Sequence, residues 1–338
     1  NKRIMKEYLN MDKNFIVLET NRLDKFLASK IDASRNQIEQ LIKKDFVQVD
    51  GKTVNKTGIK LKENQIVDVH FPQSEFSSVK NLEFIEDSLK DKEIQIIYED
   101  EYILVLNKPY NLTVHDAPSV KDATLVDWLK LQNISLSTLS GEERHGIVHR
   151  LDKGTSGVMV VAKTNEAHIE LSKQLENKSM GRYYLAIIDT PLKDNIVINK
   201  SIARNPNNRL KMAIDENGRN AKSAFLKIAL SNKENFELIS AKLFTGRTHQ
   251  IRVHLSSINR HILGDNLYGF KGELNKINRF YLHAYYLYLI HPITKEQIGF
   301  KADLPNDMNE FLTTNFQGEN INDKINENNI ISNFNSFI

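Results

Sequence analysis

One loop of the sequence concentrates residues that could do chemistry. Residues 146–157 read GIVHRLDKGTSG and stand directly before the apolar run 158–162. Polar side chains, glycines and small hydroxyls beside a core strand are typical of a rigid loop whose backbone can approach a ligand. Asp152 lies between Arg150 and Lys153, and a cation this close keeps a carboxylate ionised and available as a nucleophile. The alternative is an Asp that caps the turn or pairs with Arg150 for stability.

A second dense segment, residues 243–255, reads LFTGRTHQIRVHL. The pattern predicts a strand that ends at the Thr245–Gly246 turn and a helix that begins near Thr248. Arg247 would then lie at the turn. Arg252 would lie in the first turns of the helix, where free backbone N–H groups favour an anion. Either arginine could bind a carboxylate or a phosphate, whereas a lone arginine usually lies on a solvated face.

The histidines raise the question of a metal site. His145 and His149 are four residues apart, and His249 and His254 are five apart. The first pair lies outside a clear helical pattern, and the second spacing places its members on different faces of a helix. Phosphate-binding-loop and dinucleotide-binding glycine signatures are absent from the sequence. We therefore expect neither a metal nor a cofactor.

The charge is unevenly distributed along the 338 residues, although the formal net charge is only +3. Residues 102–302 hold 28 basic and 18 acidic side chains. Residues 73–101 carry three basic against nine acidic side chains, and residues 303–338 carry one against six. Such a distribution suits a protein whose working surface meets a polyanion such as a nucleic acid. A solvated, Lys-rich surface is the simpler alternative.

Composition excludes several classes of protein. Apolar residues make up 40% and charged residues 26%, as in ordinary globular proteins, and the length suits roughly two domains. The sequence has no apolar run long enough to span a membrane, and residues 1–7 do not lead into the apolar core of a secretory signal. Residue 1 is Asn rather than Met, which is consistent with a preceding segment. The sequence has no cysteine, which excludes disulfides and thiolate chemistry and favours a cytoplasmic location.

The elements that must position these residues fall into two groups. In the first, a helix is expected after Ser34, followed by a hairpin that turns at Asp50–Gly51. The polar, acidic stretch 73–93 is typical of a linker. The second group is rich in strands, includes the buried run 158–162, and continues into a helix capped by Thr164 or Asn165. This mixture predicts an α+β domain around a mostly antiparallel mixed sheet, behind a small N-terminal α/β domain.

The motif His149-Arg150-Leu151-Asp152, with Thr155-Ser156-Gly157 after it, resembles the RluA family of RNA pseudouridine synthases. The resemblance recurs in order along the chain and covers about residues 20–312. Its other parts are residues 107–115, 182–186, 245–254, 264–265 with 268–269, and 282–284 with 291–292. In front of them, residues 22–27, 34–35 and 47–52 resemble the RNA-binding domain named after ribosomal protein S4.

The resemblance implies a domain order. An RNA-binding domain would occupy residues 20–72, a linker 73–93, and a pseudouridine synthase catalytic domain 94–312. Residues 313–338 would form an Asn-rich tail that is mobile or accessory. This order is most similar to the RluD branch, whose members modify large-subunit ribosomal RNA. The reaction implied needs no cofactor, and nothing in the sequence demands more than a monomer.

The resemblance also implies roles for individual residues. Asp152 would be the nucleophile, Arg252 its ion-pair partner, and Tyr184 the aromatic side chain that stacks on uracil. Arg150 would fill the space that the extruded uridine leaves. Arg247, His149 and Thr155 would also contact the substrate, and the RNA-binding domain would use Arg22, Lys25, Ser34, Arg35 and Lys52.

Three positions depart from the family pattern. Asp45 and Asn111 stand where glycine is usual, and Asn64-Gln65 stand where Gly-Asp is usual. These departures concern the geometry of turns rather than the catalytic loop.

Other functions remain open from the sequence. The enzyme could act on another structured RNA such as tRNA, or the chain could be a non-catalytic RNA-binding protein. A nucleoside glycosidase usually needs two carboxylates about 5–9.5 Å apart, and the loop 146–157 contains no acid besides Asp152.

Overall fold

The computed structural model describes residues 13–31, 35–43, 45–70, 82–116, 120–140, 144–269, 277, 279–318 and 320–338. The chain divides into two compact units, with the boundary after Asn81.

The first unit packs two helices with a small antiparallel sheet. Its core is aliphatic and includes Leu23, Leu27, Ile38, Ile42 and Val67, all fully buried. Strand β6 lies between β1 and β3, and β4 completes the four-stranded sheet beside β3, while β2 pairs with β5. The elements are β1 (Lys13–Ile16), β2 (Asn21–Arg22), α1 (Leu23–Lys30), α2 (Arg35–Lys43), β3 (Val47–Val49), β4 (Lys52–Thr53), β5 (Lys60–Leu61) and β6 (Ile66–Val69).

The hairpin predicted at Asp50–Gly51 is present, and both turn residues have positive φ angles of 49° and 73°. The three departures from the family pattern share this property. Asp45, Asn64 and Asn111 have φ angles of 63°, 67° and 58°. Asp and Asn are the residues that tolerate the left-handed conformation best after glycine, because their short polar side chains can bond locally. The substitutions therefore preserve the backbone conformation for which glycine is suited.

The second unit is built on one large mixed sheet. Within the described residues nine strands join in the order β11-β14-β15-β10-β16-β9-β8-β7, with β17 paired to β16. Every pairing is antiparallel except that of β16 with β9, so the predicted mostly antiparallel α+β fold is confirmed. The sheet strands are β7 (Gln95–Glu99), β8 (Ile103–Lys108), β9 (Ser156–Ala162), β10 (Gly181–Ile188), β11 (Ile196–Asn199), β14 (Lys222–Leu230), β15 (Glu237–Leu243), β16 (Leu282–Ile290) and β17 (Gln297–Lys301).

Both faces of this sheet are buried. Along β10, Tyr184 and Ala186 belong to one hydrophobic cluster, and the alternating Tyr183 and Leu185 belong to another. Two-sided burial explains why these strands read as continuous apolar runs. On the first side pack α4 (Leu125–Leu131), α5 (Asn165–Asn177) and α6 (Gln250–Ser256), and on the second α7 (Asn306–Asn315) and α9 (Glu327–Phe337). The remaining elements are the hairpin β12 (Ile202–Arg204) and β13 (Met212–Ile214), α3 (Leu82–Leu89) and α8 (Ile321–Lys324).

Two expectations about connecting segments were wrong. Residues 82–89, assigned to the acidic linker, form α3, and its Ile85 and Leu89 are buried in the first cluster. The Asn-rich tail, expected to be mobile or accessory, forms α8 and α9, and Ile330 and Phe334 bury against the sheet. Isolated Ile and Phe residues among asparagines were therefore the apolar stripe of an amphipathic helix.

Candidate active site

The loop around Asp152 is held rigidly in front of β9. The carbonyl oxygen of Asp152 accepts a hydrogen bond from the N–H of Thr155 at 3.0 Å, which closes a tight turn. Buried His149 accepts at Nε2 from the N–H of Val160 at 3.1 Å. Behind the turn, Gly157 has a φ of 118°, and a Cβ there would clash with the backbone of Ala284. The close parallel pairing of β9 with β16 at this position thus requires the glycine of the loop motif.

Asp152 contacts two side chains from the start of α6. Its Oδ2 lies 3.4 Å from Nη1 of Arg252 and 3.9 Å from Nε2 of His249. Both contacts involve the same oxygen, and no hydrogen bond or ion pair from the described residues involves Oδ1. The carboxylate is mostly but not fully buried. It is therefore oriented by donors on one side and has one oxygen available to a ligand.

Arg252 is held in place by a second carboxylate. Its Nε and Nη2 donate to the two oxygens of Asp265 at 2.6 and 2.9 Å. Its guanidinium carbon lies 4.8 Å from the ring centre of Tyr268 and 4.5 Å from that of Phe280. Burial alone would lower the pKa of Arg252, but the hydrogen bonds and charge of Asp265, with the charge of Asp152, raise it. The third guanidinium nitrogen remains for Asp152.

Tyr184 reaches the same cavity from β10. The pairing of β10 with β16 shifts register between Tyr183 and Tyr184, so that Tyr285 forms a bulge. Bulges often re-aim side chains beside active sites. Burial raises the pKa of the Tyr184 hydroxyl, which therefore stays protonated near neutral pH.

The wall of one cavity of about 740 Å³ in the second unit includes part of the Asp152 loop and the start of α6. The three predicted catalytic residues, Asp152, Tyr184 and Arg252, all contribute to its wall. So do the four side chains predicted to contact substrate, and several further cations. These wall residues are Arg150, Arg247, His149 and Thr155, together with Arg144, Lys178, Arg182, Arg219 and Lys242.

The side chains predicted to contact substrate differ in the contacts that they already make within the protein. Exposed Arg150 lies 3.3 Å from Nε2 of His115, whereas Arg247 donates through Nε to the carbonyl of Asn220 at 2.9 Å. Burial, and next the charge of Arg182, hold the pKa of His149 well below its usual range. The turn before α6 is held by the side chain of Gln250, whose Oε1 accepts from the hydroxyl of Thr245 and from the N–H of Arg247.

Of the RNA-binding residues predicted in the first unit, the structure describes the side chains of Arg22, Lys25 and Lys52. Lys25 on α1 and Lys52 on β4 are exposed. Arg22 is half-exposed, but its Nε and Nη2 donate hydrogen bonds of 3.0 Å to Asp24, so part of its guanidinium group is already bound. Ser34 lies outside the described residues, and Arg35 is described only as the first residue of α2.

The histidines do not assemble a metal site within the described parts of the chain, where no three potential ligands come together. His254 lies 3.0 Å from Ser223 through Nδ1 and 3.0 Å from the carbonyl of Lys200 through Nε2. His249 faces Asp152 instead. In the same described residues, no helix is long and apolar enough to cross a membrane.

Sequence reasoning missed three residues near Asp152. Asp265 and Tyr268 stood in a quoted motif without a role, and His249 was considered only as a metal ligand. Lys108 was also missed: it is fully buried, and burial lowers its pKa to about 7. Its Nζ donates to the carbonyls of Pro109 and Leu112, both at 2.8 Å. The available signal was a lysine at the end of an apolar strand, because a lysine is almost never fully buried unless its ammonium group has a partner.

Comparison with known proteins agrees with this geometry. Residues 102–257 match the model of the RNA pseudouridylate synthase family, and residues 21–67 match the S4 domain. An uncharacterized RNA pseudouridine synthase of Helicobacter pylori is 47% identical over 332 residues, covering 96% of this chain and 99% of the relative. The ribosomal large subunit pseudouridine synthase D of Zymomonas mobilis is 37% identical over 299 residues, covering 85% and 91%.

Among solved structures, the human protein RNA pseudouridylate synthase domain containing 1 is similar to this chain. The TM-score is 0.52 at 25% sequence identity, over 63% of this chain and 84% of that one.

Proposed function

Because this chain belongs to the RNA pseudouridine synthases of the RluA family that carry an S4 domain, we propose that it acts on large-subunit ribosomal RNA with Asp152 as nucleophile. One observation supports the catalytic assignment above all. Oδ2 of Asp152 lies 3.4 Å from Arg252 in a cavity that Tyr184 also lines. The free Oδ1 is the atom that would attack the substrate.

The reaction isomerises a uridine without net oxidation or hydrolysis. The bond between N1 of uracil and C1′ of ribose breaks, the base turns over, and C5 bonds to C1′. C5 loses a proton and N1 gains one, so the atoms balance. Oδ1 of Asp152 would bond transiently to C1′ of the sugar or to C6 of the base. Arg252 would stabilise the carboxylate before attack and after its release.

Tyr184 would hold the base while it is detached. An aromatic ring offers a stacking face, and its polar tip can bond a polar edge. The hydroxyl is protonated because burial raises its pKa, and it interacts with Arg182. In this role Tyr184 keeps the free uracil close to the sugar during its rotation.

A uridine in folded RNA must leave its stack before it can reach Asp152, at a cost of a few kcal/mol. The cavity of about 740 Å³ has room for a nucleotide. Exposed Arg150 stands two residues from the nucleophile. We propose that it enters the space that the base vacates and offsets part of the lost stacking.

The proposal that ribosomal RNA is the substrate rests on the name of the Zymomonas relative and on the S4 domain. Mapping the pseudouridines of cellular RNA tests it. Pseudouridines would be mapped in all cellular RNA from strains with the gene, without it, and with the Asp152→Asn variant. We expect specific large-subunit positions to be lost in the second and third strains. Loss at tRNA positions would instead favour another structured RNA as the substrate. An unchanged map of every RNA would contradict the proposal.

The first unit should contribute affinity rather than chemistry. In the double variant Lys25→Gln, Lys52→Gln, we expect the KM for RNA to rise several-fold with little change in kcat, because lysines bind phosphates and release counterions. The slope of log affinity against log salt should fall by about 1–2. Lys130→Gln, an exposed lysine of α4, is the control and should leave both values unchanged. A fall confined to kcat would argue against this role.

A further inference from the structure

The hydroxyl of Tyr268 joins two parts of the catalytic unit. It accepts a hydrogen bond from the backbone N–H of Met212, the first residue of β13, at 2.8 Å. It also lies 2.8 Å from Nδ1 of His249. Since the N–H of Met212 can only donate, the hydroxyl hydrogen is free to point at the imidazole. Among the described residues, no other acceptor lies within hydrogen-bond distance of this hydroxyl, so the assignment that satisfies both groups has Tyr268 as the donor and Nδ1 of His249 as the acceptor.

This contact decides which nitrogen of His249 carries the proton. A ring nitrogen that accepts a hydrogen bond has none, so the neutral imidazole is protonated at Nε2. Burial lowers the pKa of His249 despite the nearby charge of Asp152, so the ring is neutral at physiological pH. The Nε2–H group faces Oδ2 of Asp152 across 3.9 Å.

The backbone of His249 indicates a constrained position. The residue precedes α6 with a φ of 56°, and its side chain makes no capping hydrogen bond. A non-glycine residue in the left-handed conformation is uncommon, although histidine adopts it more often than most, and such positions cluster at functional sites. Here the surroundings are Tyr268, whose ring is perpendicular to the imidazole at 5.6 Å, and Asp152.

We propose that Tyr268 is a positioning residue for pseudouridine formation, because it orders both groups that contact Oδ2 of Asp152. Its hydroxyl fixes His249 as the Nε2–H tautomer, and its ring stacks on the Arg252 guanidinium. Arg252 donates a hydrogen bond to Oδ2, and the Nε2–H of His249 adds electrostatic attraction across 3.9 Å, so both favour the orientation that leaves Oδ1 for the substrate. This inference rests on the proposed role of Asp152 as nucleophile.

The variant Tyr268→Phe keeps the ring and removes only the hydroxyl. In protein with ¹⁵N-labelled histidine, NMR of the RNA-free wild type should show His249 with unprotonated Nδ1, assigned by its absence in His249→Gln. In Tyr268→Phe we expect a mixture of tautomers. The value of kcat should fall about tenfold, as for the loss of one oriented hydrogen bond, with most of the effect on kcat rather than KM.

Tyr286→Phe is the matched control, since Tyr286 is partly buried like Tyr268 but packs against the second hydrophobic cluster and is not part of the cavity wall. Its spectrum and kcat should equal those of the wild type. The double variant His249→Gln, Tyr268→Phe should be no slower than His249→Gln, because both changes act through one contact.

Several results would overturn the proposal. A wild-type His249 protonated at Nδ1 would do so without any variant. So would a Tyr268→Phe protein that keeps its kcat, or one that loses kcat with an unchanged tautomer, which would mark a merely structural role. The tautomer is measured without RNA, so it stands apart from the substrate assignment. Activity retained by Asp152→Asn would instead reject the nucleophile.

Discussion

Asp152→Asn is expected to abolish pseudouridine formation, with kcat reduced by at least about 10⁴-fold, as for the loss of other enzymatic nucleophiles. Asparagine has nearly the shape of aspartate but no ionised oxygen to attack C1′ or C6. The turn should survive because it depends on the backbone carbonyl of residue 152, which accepts from Thr155. RNA affinity should therefore change less than about threefold in a filter-binding assay, since phosphate contacts supply most of it.

The matched control for this variant is Asp122→Asn. Asp122 is 67% exposed and pairs with Lys153, the residue after the nucleophile, at 2.9 Å. The change thus removes one negative charge beside the same loop without touching the cavity wall. We expect tritium release from 5-tritiated uridine in RNA to proceed at the wild-type rate. Release by Asp152→Asn at a comparable rate would disprove the role of Asp152.

Arg252→Lys should have the second largest effect, a fall in kcat of about 10²–10³-fold, typical for the loss of one well-placed charge donor. Arg252 binds both oxygens of Asp265, reaches Asp152 with a third nitrogen, and stacks between two rings. A lysine carries one compact ammonium group that cannot meet both carboxylates in this geometry. Single-turnover kinetics at saturating RNA would isolate this loss from any change in binding.

A loss of stability must be separated from this loss of chemistry. The lysine variant leaves Asp265 with fewer partners, which should cost about 1–3 kcal/mol of unfolding free energy in a urea titration. Rates would be compared where the variant remains folded. Arg260→Lys is the control, because Arg260 binds the carbonyls of Pro191, Ile258 and Asn259 and is not part of the cavity wall. An Arg252→Lys enzyme within threefold of the wild-type rate would contradict the assignment.

Local pattern was sufficient for much of the fold. The continuous apolar run 158–162 predicted the buried strand β9, and Thr164 caps α5 as expected, accepting from the N–H of Ala167. Two segments of weak pattern, residues 73–93 and the tail, were misread, because each contains a helix. The asparagines around Ile330 and Phe334 suggested a mobile tail, yet these two side chains find an apolar sheet face to cover. A tail sequence does not show whether such a face exists nearby.

The sequence alone singled out the loop around Asp152 and, through the family resemblance, nominated Arg252 as its partner, because residue types and their spacing within a short segment are local properties. Only the tertiary structure decided which oxygen of Asp152 is held, that Asp265 anchors the arginine, and that His249 lies between Asp152 and Tyr268. Asp152 and Arg252 are separated by 100 positions along the chain. Their contact depends on how the strands and loops between them pack, and the proton position on an imidazole depends on a partner from another loop. Such choices are made by neighbours in space, which sequence spacing does not specify.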